Sequence, residues 1–176
     1  MKIILKSIKN KDIKKKLIND IIKLKSQEWK YSYNSQLQWL KSNVLSDDTH
    51  NIMLFNKQLI GYTLLRKRLL SFKYKKKLIK NFYYFDTFIL HKRYRGKIFI
   101  DKKFSEIMMN YNNKIIIQKK YISILHCYKY MIKFYKKYGW KPCNSKKIYS
   151  FDKKRLNLMI YNFNSSFSSK IEFSIN

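Results

Sequence analysis

The stretch FYYFDTFILHKRYRGK, residues 82–97, joins an aromatic run to a basic segment holding one of the three glycines among 176 residues. The run FYYFDTFIL is typical of a buried central strand, because aromatic and β-branched side chains pack well on a pleated surface. Gly96 permits backbone conformations that a side chain forbids, and its neighbours are largely cationic. A glycine turn between a strand and a helix is a common phosphate site. The stretch predicts either an anion-binding turn or an ordinary connection with solvated cations.

The overall composition indicates one domain with a genuine core, since 45% of the 176 residues are hydrophobic. No stretch approaches the roughly 20 apolar residues that span a bilayer, and the amino terminus has too short an apolar run for a secretory signal. Cys127 and Cys143 give neither a disulfide framework nor metal-ligand spacing. We therefore expect a domain over 1–163 and a polar, loosely held tail over 164–176, in a reducing, cytoplasmic setting without metal or membrane span.

The net charge of +30, from 40 Lys and Arg against 10 Asp and Glu, attracts polyanions in general. The cations are mostly lysines spread along the whole chain, in a sequence also rich in Ile, Asn, Tyr and Phe. That joint bias indicates codon drift in an AT-rich genome. We therefore favour drift over selection for a nucleic-acid surface, and nucleic-acid binding stays open as the alternative.

Local patterns in the first third of the chain predict two helices and a hairpin. Apolar residues at helical spacing predict a helix over 12–30 with Asn10 as N-cap, and a second helix over 35–44. The runs NIMLF (51–55) and LIGYTLLR (59–66) are separated by a short polar turn and predict a β-hairpin. The order of elements over the whole chain is ααβββαβαββ, which indicates one mixed α/β domain.

The remaining elements follow the same reasoning. They are an exposed, lysine-rich loop over 67–81, a helix whose apolar face runs from Ile100 to Tyr111, a strand over 121–127, a helix over 128–139, and a last hairpin of 147–151 with 156–163 around Lys153 and Lys154.

Three side chains are candidates for chemistry, each with a structural alternative. Asp86 lies mid-strand, where a desolvated carboxyl group suits a general base, although pairing with a cation, or accepting backbone N–H bonds at a strand bulge, would make it structural. Tyr135, near the end of a helix, could donate a proton or simply pack in the core. His126 ends a strand, where ligand crevices of α/β folds open, although the pattern favours an ordinary capped surface histidine.

Three stretches in order resemble the GNAT superfamily of acetyl-CoA-dependent N-acetyltransferases. NKQLIGYTLLR (56–66) is similar to the family's turn and glycine-bearing strand. FDTFILHKRYRGK (85–97) resembles its fourth strand and the start of its pyrophosphate loop. ISILHCYKYMIKFYKKYGWKP (122–142) resembles its fifth strand, the next helix and the ending FYxxxGF/W. The resemblance implies a central mixed sheet that splays between strands 4 and 5.

The resemblance also implies a cofactor site. The family's loop pattern is Gln or Arg, two residues, Gly, one residue, then Gly or Ala, and it matches Arg93, Arg95, Gly96, Lys97 and Ile98 here, with isoleucine replacing the last small residue. In the family this loop wraps the CoA pyrophosphate with backbone N–H groups at a helix N-terminus. The pantetheine is expected to pair with the backbone over Phe88–Leu90, including Ile89.

By the same resemblance, a primary amine is deprotonated by Asp86, His126 or water and attacks the thioester of acetyl-CoA, and Tyr135 protonates the thiolate. A backbone N–H near Ile89 or Leu90 stabilises the oxyanion. We expect a monomer or homodimer. Two alternatives remain: an acyltransferase that uses an acyl-carrier protein or charged tRNA, favoured by the charge, and a degenerate CoA-binding domain without catalysis, favoured by Ile98.

Overall fold

Two long strands, β3 (Gln58–Phe72) and β4 (Lys75–Leu90), supply residues to both of the compact units into which the chain divides. The computed structural model describes residues 2–72, 75–143, 148–150, 156–163 and 171–173. The first unit is Met1–Arg66 with Asp86–Asn112, and the second is Lys67–Phe85 with Asn113–Asn176. Four α-helices and a mixed sheet within these described ranges confirm the predicted α/β class.

The first unit combines an antiparallel sheet with two helices. Its sheet runs in the order β1, β2, β3, with each neighbouring pair antiparallel. Its own elements are β1 (Ile3–Lys9), α1 (Lys15–Lys25), α2 (Tyr33–Asn43), β2 (Thr49–Phe55), β5 (Ile98–Phe99) and β6 (Lys102–Lys103), and α3 (Phe104–Gln118) begins there.

The predicted β2–β3 hairpin is confirmed. Phe55 pairs with Gln58, and the two residues between them, Asn56 and Lys57, have φ values of 48° and 68°. A two-residue connection with both φ values positive has the left-handed geometry that suits the twist of a hairpin. The turn therefore sets the register of β2 against β3.

The start of the first helix differs from the prediction. α1 begins at Lys15 with Lys14 as the N-cap, and no side chain caps it. Asn10 lies in a short 3₁₀ turn instead, and its side-chain amide donates to the Val44 carbonyl oxygen at 3.1 Å. The second helix begins at Tyr33, close to the prediction, because the Ser32 hydroxyl accepts a hydrogen bond from the Ser35 N–H.

The amino-terminal strand is absent from the predicted order. β1 pairs with β2 along its length, from Ile3 opposite Phe55 to Lys9 opposite Thr49. The order therefore begins with a strand before the two helices. No local turn signal predicts this strand, because its partner residues lie 40 to 52 positions away in the chain.

Two apolar clusters form the core of the first unit. One packs the helices on the sheet, and the other surrounds the start of α3. Their buried members are Ile21, Ile22, Leu24, Leu40, Val44, Ile52, Tyr62, Leu64 and Ile89 in the first, and Met53, Ile60, Leu90, Phe104 and Met108 in the second. Both clusters include residues from the end of β4, so packing positions that strand end within this unit.

The second unit is built around β7 (Ile122–Cys127). Its first three residues pair in parallel with Phe82–Tyr84 of β4, and all but its first residue pair antiparallel with β10 (Asn157–Tyr161). The ladder with β4 ends at Ile124 although β7 continues to Cys127, as the resemblance implies. Its other elements are α4 (Ile132–Lys137), β8 (Lys141–Pro142), β9 (Ile148–Ser150) and β11 (Ile171–Phe173).

Three expectations for this unit are wrong. The span 67–81 is strand wherever it is described, because β3 continues to Phe72 and β4 begins at Lys75. In the described residues β9 pairs with β11 and not with β10, so the expected hairpin of β9 with β10 does not form there. Its turn at Lys153 and Lys154 lies outside them. The tail expected to be loosely held contains β11, which pairs with β3.

No helix in the described ranges is both long enough and apolar enough to cross a bilayer.

One buried histidine of the first unit has a defined tautomer. Because the Asn10 amide nitrogen donates to Val44, the Asn10 Oδ1 atom, 3.1 Å from His50 Nε2, must accept. Nε2 is therefore the protonated nitrogen, and Nδ1 accepts from the Tyr62 hydroxyl at 2.9 Å. Burial is the main cause that lowers the pKa of His50 from 6.5 to about 4, against an opposing effect of Asp48.

We expect this histidine to make stability depend on pH. In the unfolded chain His50 takes up a proton below about pH 6.5, whereas in the folded chain it does so only below about pH 4. The contribution of the neutral imidazole to folding stability is therefore present above this range and is lost as the pH falls through it. Between about pH 6.5 and pH 4, the free energy of unfolding measured in urea should fall by about 3 kcal/mol more in the wild type than in His50→Gln. Equal losses in the two proteins would contradict the buried neutral imidazole.

Candidate functional site

The turn after β4 is the segment that the sequence singled out for anion binding. It leaves the strand through a 3₁₀ turn, Lys92–Tyr94, which His91 caps by accepting the Arg93 N–H on Nδ1 at 3.2 Å. Gly96 has φ of +72°, and a Cβ added there would meet no atom within 4 Å. The space beside Gly96 is therefore open, and its backbone conformation is one that L-residues rarely adopt.

The backbone N–H groups of this turn are largely used within the protein. Lys92 donates to the Gln27 side-chain oxygen at 3.1 Å, and Lys97 donates to the Tyr94 carbonyl oxygen at 3.3 Å. The N–H groups of Tyr94 and Arg95 also donate to carbonyl oxygens of the turn. This differs from the expected loop, in which the backbone N–H groups wrap a pyrophosphate.

The four cations of the turn have two different roles. Arg95 donates to the Leu90 carbonyl oxygen at 3.0 Å and forms an ion pair with Glu28 at 2.7 Å, so its side chain ties the turn to the end of the strand and to the segment after α1. Lys92, Arg93 and Lys97 are exposed to solvent. These three side chains are the ones positioned to meet an anion.

The segment after Gly96 also departs from the expected loop. α3 begins at Phe104, so Gly96 is not at a helix N-terminus. The intervening residues form the two-stranded β5–β6 ribbon, in which Ile98 pairs with Lys103. Ile98 is 61% exposed, and Ile100, 86% exposed with φ of 60°, lies in the turn of the ribbon rather than on the predicted helix face.

The end of β4 carries a strained residue that the sequence did not indicate. Thr87 has φ of 52°, a conformation that is unusual for a β-branched residue and costs of order 1–3 kcal/mol. Ile89 and Leu90, which follow it, are buried at 3% and 5% exposure, and Phe88 is half-buried. The backbone therefore departs from regular strand geometry just before the residues expected to pair with pantetheine.

Asp86, the residue before Thr87, forms an ion pair with Arg66. Arg66 Nη1 lies 3.3 Å from Asp86 Oδ2, and the two side chains are 3% and 16% exposed. Asp86 therefore has the cationic partner that the structural interpretation requires. A carboxylate held by a guanidinium can still orient an incoming ammonium group, because its second oxygen has further acceptor sites.

Tyr135 is buried in the second unit. Its ring lies among aromatic side chains, edge-on to Phe85 at 6.3 Å and to Phe134 at 5.1 Å and tilted to Trp140 at 6.0 Å, and it is 7% exposed. Burial, more than the nearby Cys127 and Tyr130, raises the pKa of its phenol well above the ordinary value. The hydroxyl therefore stays protonated, and its acidity is weaker than that of an exposed tyrosine.

His126 also belongs to the second unit. Its Nδ1 atom lies 3.1 Å from the Tyr84 hydroxyl, and the two rings are 5.8 Å apart. The sequence candidates therefore fall in two groups: Asp86 and 88–98 lie in the first unit, while Tyr135 and His126 lie in the second. Among the described residues, no three His, Cys, Asp or Glu side chains are grouped so as to hold a metal ion.

Solved structures match the fold over nearly the whole chain. ElaA from Escherichia coli has a TM-score of 0.63 at 13% identity, covering 90% of this chain and 99% of its own. An acyl-CoA N-acyltransferase from Pseudomonas aeruginosa gives 0.64 at 13%, with the same coverage. The PaiA N-acetyltransferase from Thermoplasma acidophilum, solved with coenzyme A, gives 0.60 at 16%, covering 93% and 100%.

The chain has the GNAT fold. No family model matches its sequence, and no curated protein is significantly similar to it. At 13% to 16% identity the likeness shows the fold alone, so the GNAT resemblance stated from three stretches of sequence is confirmed at the level of the fold.

The sequence analysis did not identify several residues that hold or shape the end of strand β4 in this GNAT fold. Gln27 and Glu28 hold the turn after β4, and Arg66 holds Asp86. Thr87 carries the strained backbone. No sequence signal marks them, because each acts through a partner that is distant in the chain or through a backbone angle that its residue type does not favour.

We expect Asp86→Asn to lower the free energy of unfolding by about 3 kcal/mol, because it removes the Asp86 carboxylate from its buried ion pair with the Arg66 guanidinium. Urea unfolding measures this loss. Asp101→Asn, at an exposed carboxylate in the β5–β6 turn, is the control and should change stability by less than about 0.5 kcal/mol. A neutral effect of Asp86→Asn would show that the ion pair does not stabilise the fold.

Proposed function

We propose that this protein is an N-acetyltransferase that moves an acetyl group directly from acetyl-CoA to a primary amine of a small molecule or peptide. The observation that carries the proposal is the GNAT fold together with an open, cationic turn directly after β4. The PaiA enzyme and an aminoglycoside 6′-N-acetyltransferase with the same fold were both solved with coenzyme A.

The turn supports CoA binding mainly through its side chains. The open space beside Gly96 admits a phosphate, and the exposed Lys92, Arg93 and Lys97 supply charge-assisted hydrogen bonds. Arg95 contributes by holding the turn in place. Most N–H groups of the turn already have partners, so we infer that the diphosphate is bound more by cations than by backbone.

The reaction requires one bond to form and one to break. The nitrogen of a deprotonated amine attacks the thioester carbonyl carbon, the C–S bond then breaks, and the thiolate takes up a proton. Backbone N–H groups of Ile89 or Leu90 would stabilise the oxyanion, and Asp86, His126 or a water molecule would take the proton of the amine. The strained backbone at Thr87 supports a functional role for this end of β4.

Tyr135 is proposed as the proton donor to the thiolate. Its burial keeps the phenol protonated until it is needed, although the raised pKa makes it a weaker acid. The same burial among aromatic rings also suits a purely structural residue. A substitution that keeps the ring and removes the hydroxyl separates the two roles.

A CoA-binding domain without catalysis is the second candidate. It is favoured by the departures of the turn from the GNAT pattern: Ile98 in place of a small residue, the engaged N–H groups, and a helix that begins only at Phe104. Saturable calorimetric binding of acetyl-CoA without acetyl transfer to any amine would favour this candidate over the enzyme.

We expect Gly96→Val to weaken acetyl-CoA binding at least about tenfold, or roughly 1.4 kcal/mol, because a β-branched residue does not adopt the positive φ that shapes the turn. Isothermal titration calorimetry measures the affinity. Ile98→Gly should bind equally well or better, since it restores a small residue. Unchanged affinity in a folded Gly96→Val protein, or a clear loss in Ile98→Gly, would exclude the proposed role of the turn.

We expect Tyr135→Phe to lower kcat by about 10²- to 10⁴-fold with nearly unchanged acetyl-CoA affinity, as for a general acid that acts in the transition state. Steady-state kinetics and calorimetry measure the two quantities. A destabilised variant with normal kcat would make Tyr135 a core residue, and a stable, fully active variant would remove it from the mechanism.

A further inference from the structure

Two buried cations of the first unit both contact the side chain of Trp39. Lys25, the last residue of α1, is 8% exposed, and its Nζ lies 4.8 Å from the centre of a Trp39 ring. Arg66 of β3 is 2% exposed, and its Cζ lies 5.7 Å from a Trp39 ring centre. Cation–π contacts of this kind partly offset the loss of water around a charge.

Only one of these two cations, Arg66, forms an ion pair among the described residues. Arg66 pairs directly with Asp86 at 3.3 Å. No carboxylate of the described residues forms an ion pair with Lys25. Asp86 affects the pKa of Lys25 through its charge, without a direct contact between the two. Burial lowers the pKa of Lys25, and Asp86 opposes that effect. An apolar side chain of similar length would fill the same place without this cost, so packing alone does not account for a lysine here.

A third observation adds an unsatisfied acceptor to this region. Gln36 of α2 is 3% exposed, and its side-chain nitrogen donates to the hydroxyl of Ser26, the residue after Lys25, at 2.8 Å. Its Oε1 atom is buried without a hydrogen-bond partner. Buried acceptors are ordinarily paired, so this atom is suited to a donor from outside the protein. The region thus offers a cation, a carboxylate and an acceptor.

We propose that the acceptor amine of this protein carries a carboxylate, which Lys25 binds, while Asp86 receives the amino group. The inference rests on the proposed function, since it names the substrate class of that reaction. An amine that also carries a carboxylate is complementary in charge to Lys25 and Asp86, which are near enough to interact electrostatically. Trp39 of α2 is half-buried, and its ring would contact the stem of the ligand.

The position of Asp86 fits this arrangement within the same unit. It is followed directly by the strained Thr87 and then by Phe88–Leu90, the segment proposed to hold the acyl donor. Asp86, which would orient the amino group, is therefore only a few residues from the backbone N–H groups that would stabilise the oxyanion. Lys25 is a positioning residue for the reaction, since it contacts only the carboxylate.

The kinetic test compares amino acids with their carboxamides as acceptors, with acetyl-CoA as donor and thiol release as readout. We expect kcat/KM at least tenfold higher for the acids in the wild type. Lys25→Met keeps the length of the side chain, removes its charge and should abolish the preference by raising KM for the acids. Lys25→Arg should keep it. Lys23→Met, at an exposed lysine of the same helix, is the matched control and should also keep it.

A binding test separates this inference from the proposed function. Titration of the full chain with N-acetylglycine and N-acetylglycinamide, without acetyl-CoA, is followed by tryptophan fluorescence, with Trp39→Phe identifying the responding ring. Binding of the acid alone, lost in Lys25→Met, supports the carboxylate site even if no amine is acetylated. Acetyl transfer without preference for acids, unaltered in Lys25→Met, overturns the site and leaves the enzyme. Failure of the acid to bind or react in the wild type also overturns it.

Discussion

The ion pair of Arg66 and Asp86 is the interaction on which the first unit depends. It joins β3 to β4 through two side chains that are almost fully removed from water. A buried charge without a partner is costly, so each member fixes the other in place. Trp39 lies against Arg66 and against Lys25, so the same cluster also positions both helices. The strand end that follows Asp86 takes its position from this constraint.

Aromatic packing has the corresponding role in the second unit. Trp140 is 1% exposed, stacks on Tyr161 at 5.3 Å and lies edge-on to Phe85 at 5.2 Å, and its indole N–H donates to the Asn113 side chain at 3.2 Å. Tyr135 belongs to the same cluster. Its phenol is therefore held rigidly, which suits a proton donor and a packing residue alike.

The turn after β4 combines a GNAT-type fold with local features that differ from those the sequence resemblance implied. The chain follows GNAT-fold structures at 13% to 16% identity, yet its turn uses internal N–H partners and inserts the β5–β6 ribbon before α3. The fold depends on buried apolar contacts, which many sequences satisfy. The turn presents three exposed cations, Lys92, Arg93 and Lys97, while most of its backbone N–H groups are engaged within the protein.

Elements with a local signal were determined by the sequence alone. The β2–β3 hairpin, α2 and β7 were predicted because turn residues, apolar residues at helical spacing and an apolar run mark them within a few residues. The order of three motifs likewise determined the fold. Tertiary structure decided the rest: β1 needs β2 as its partner, and the lysine-rich start of β4 is strand despite its charge. The partners of Asp86 and of Lys25 lie in distant segments, so only the folded chain could show them.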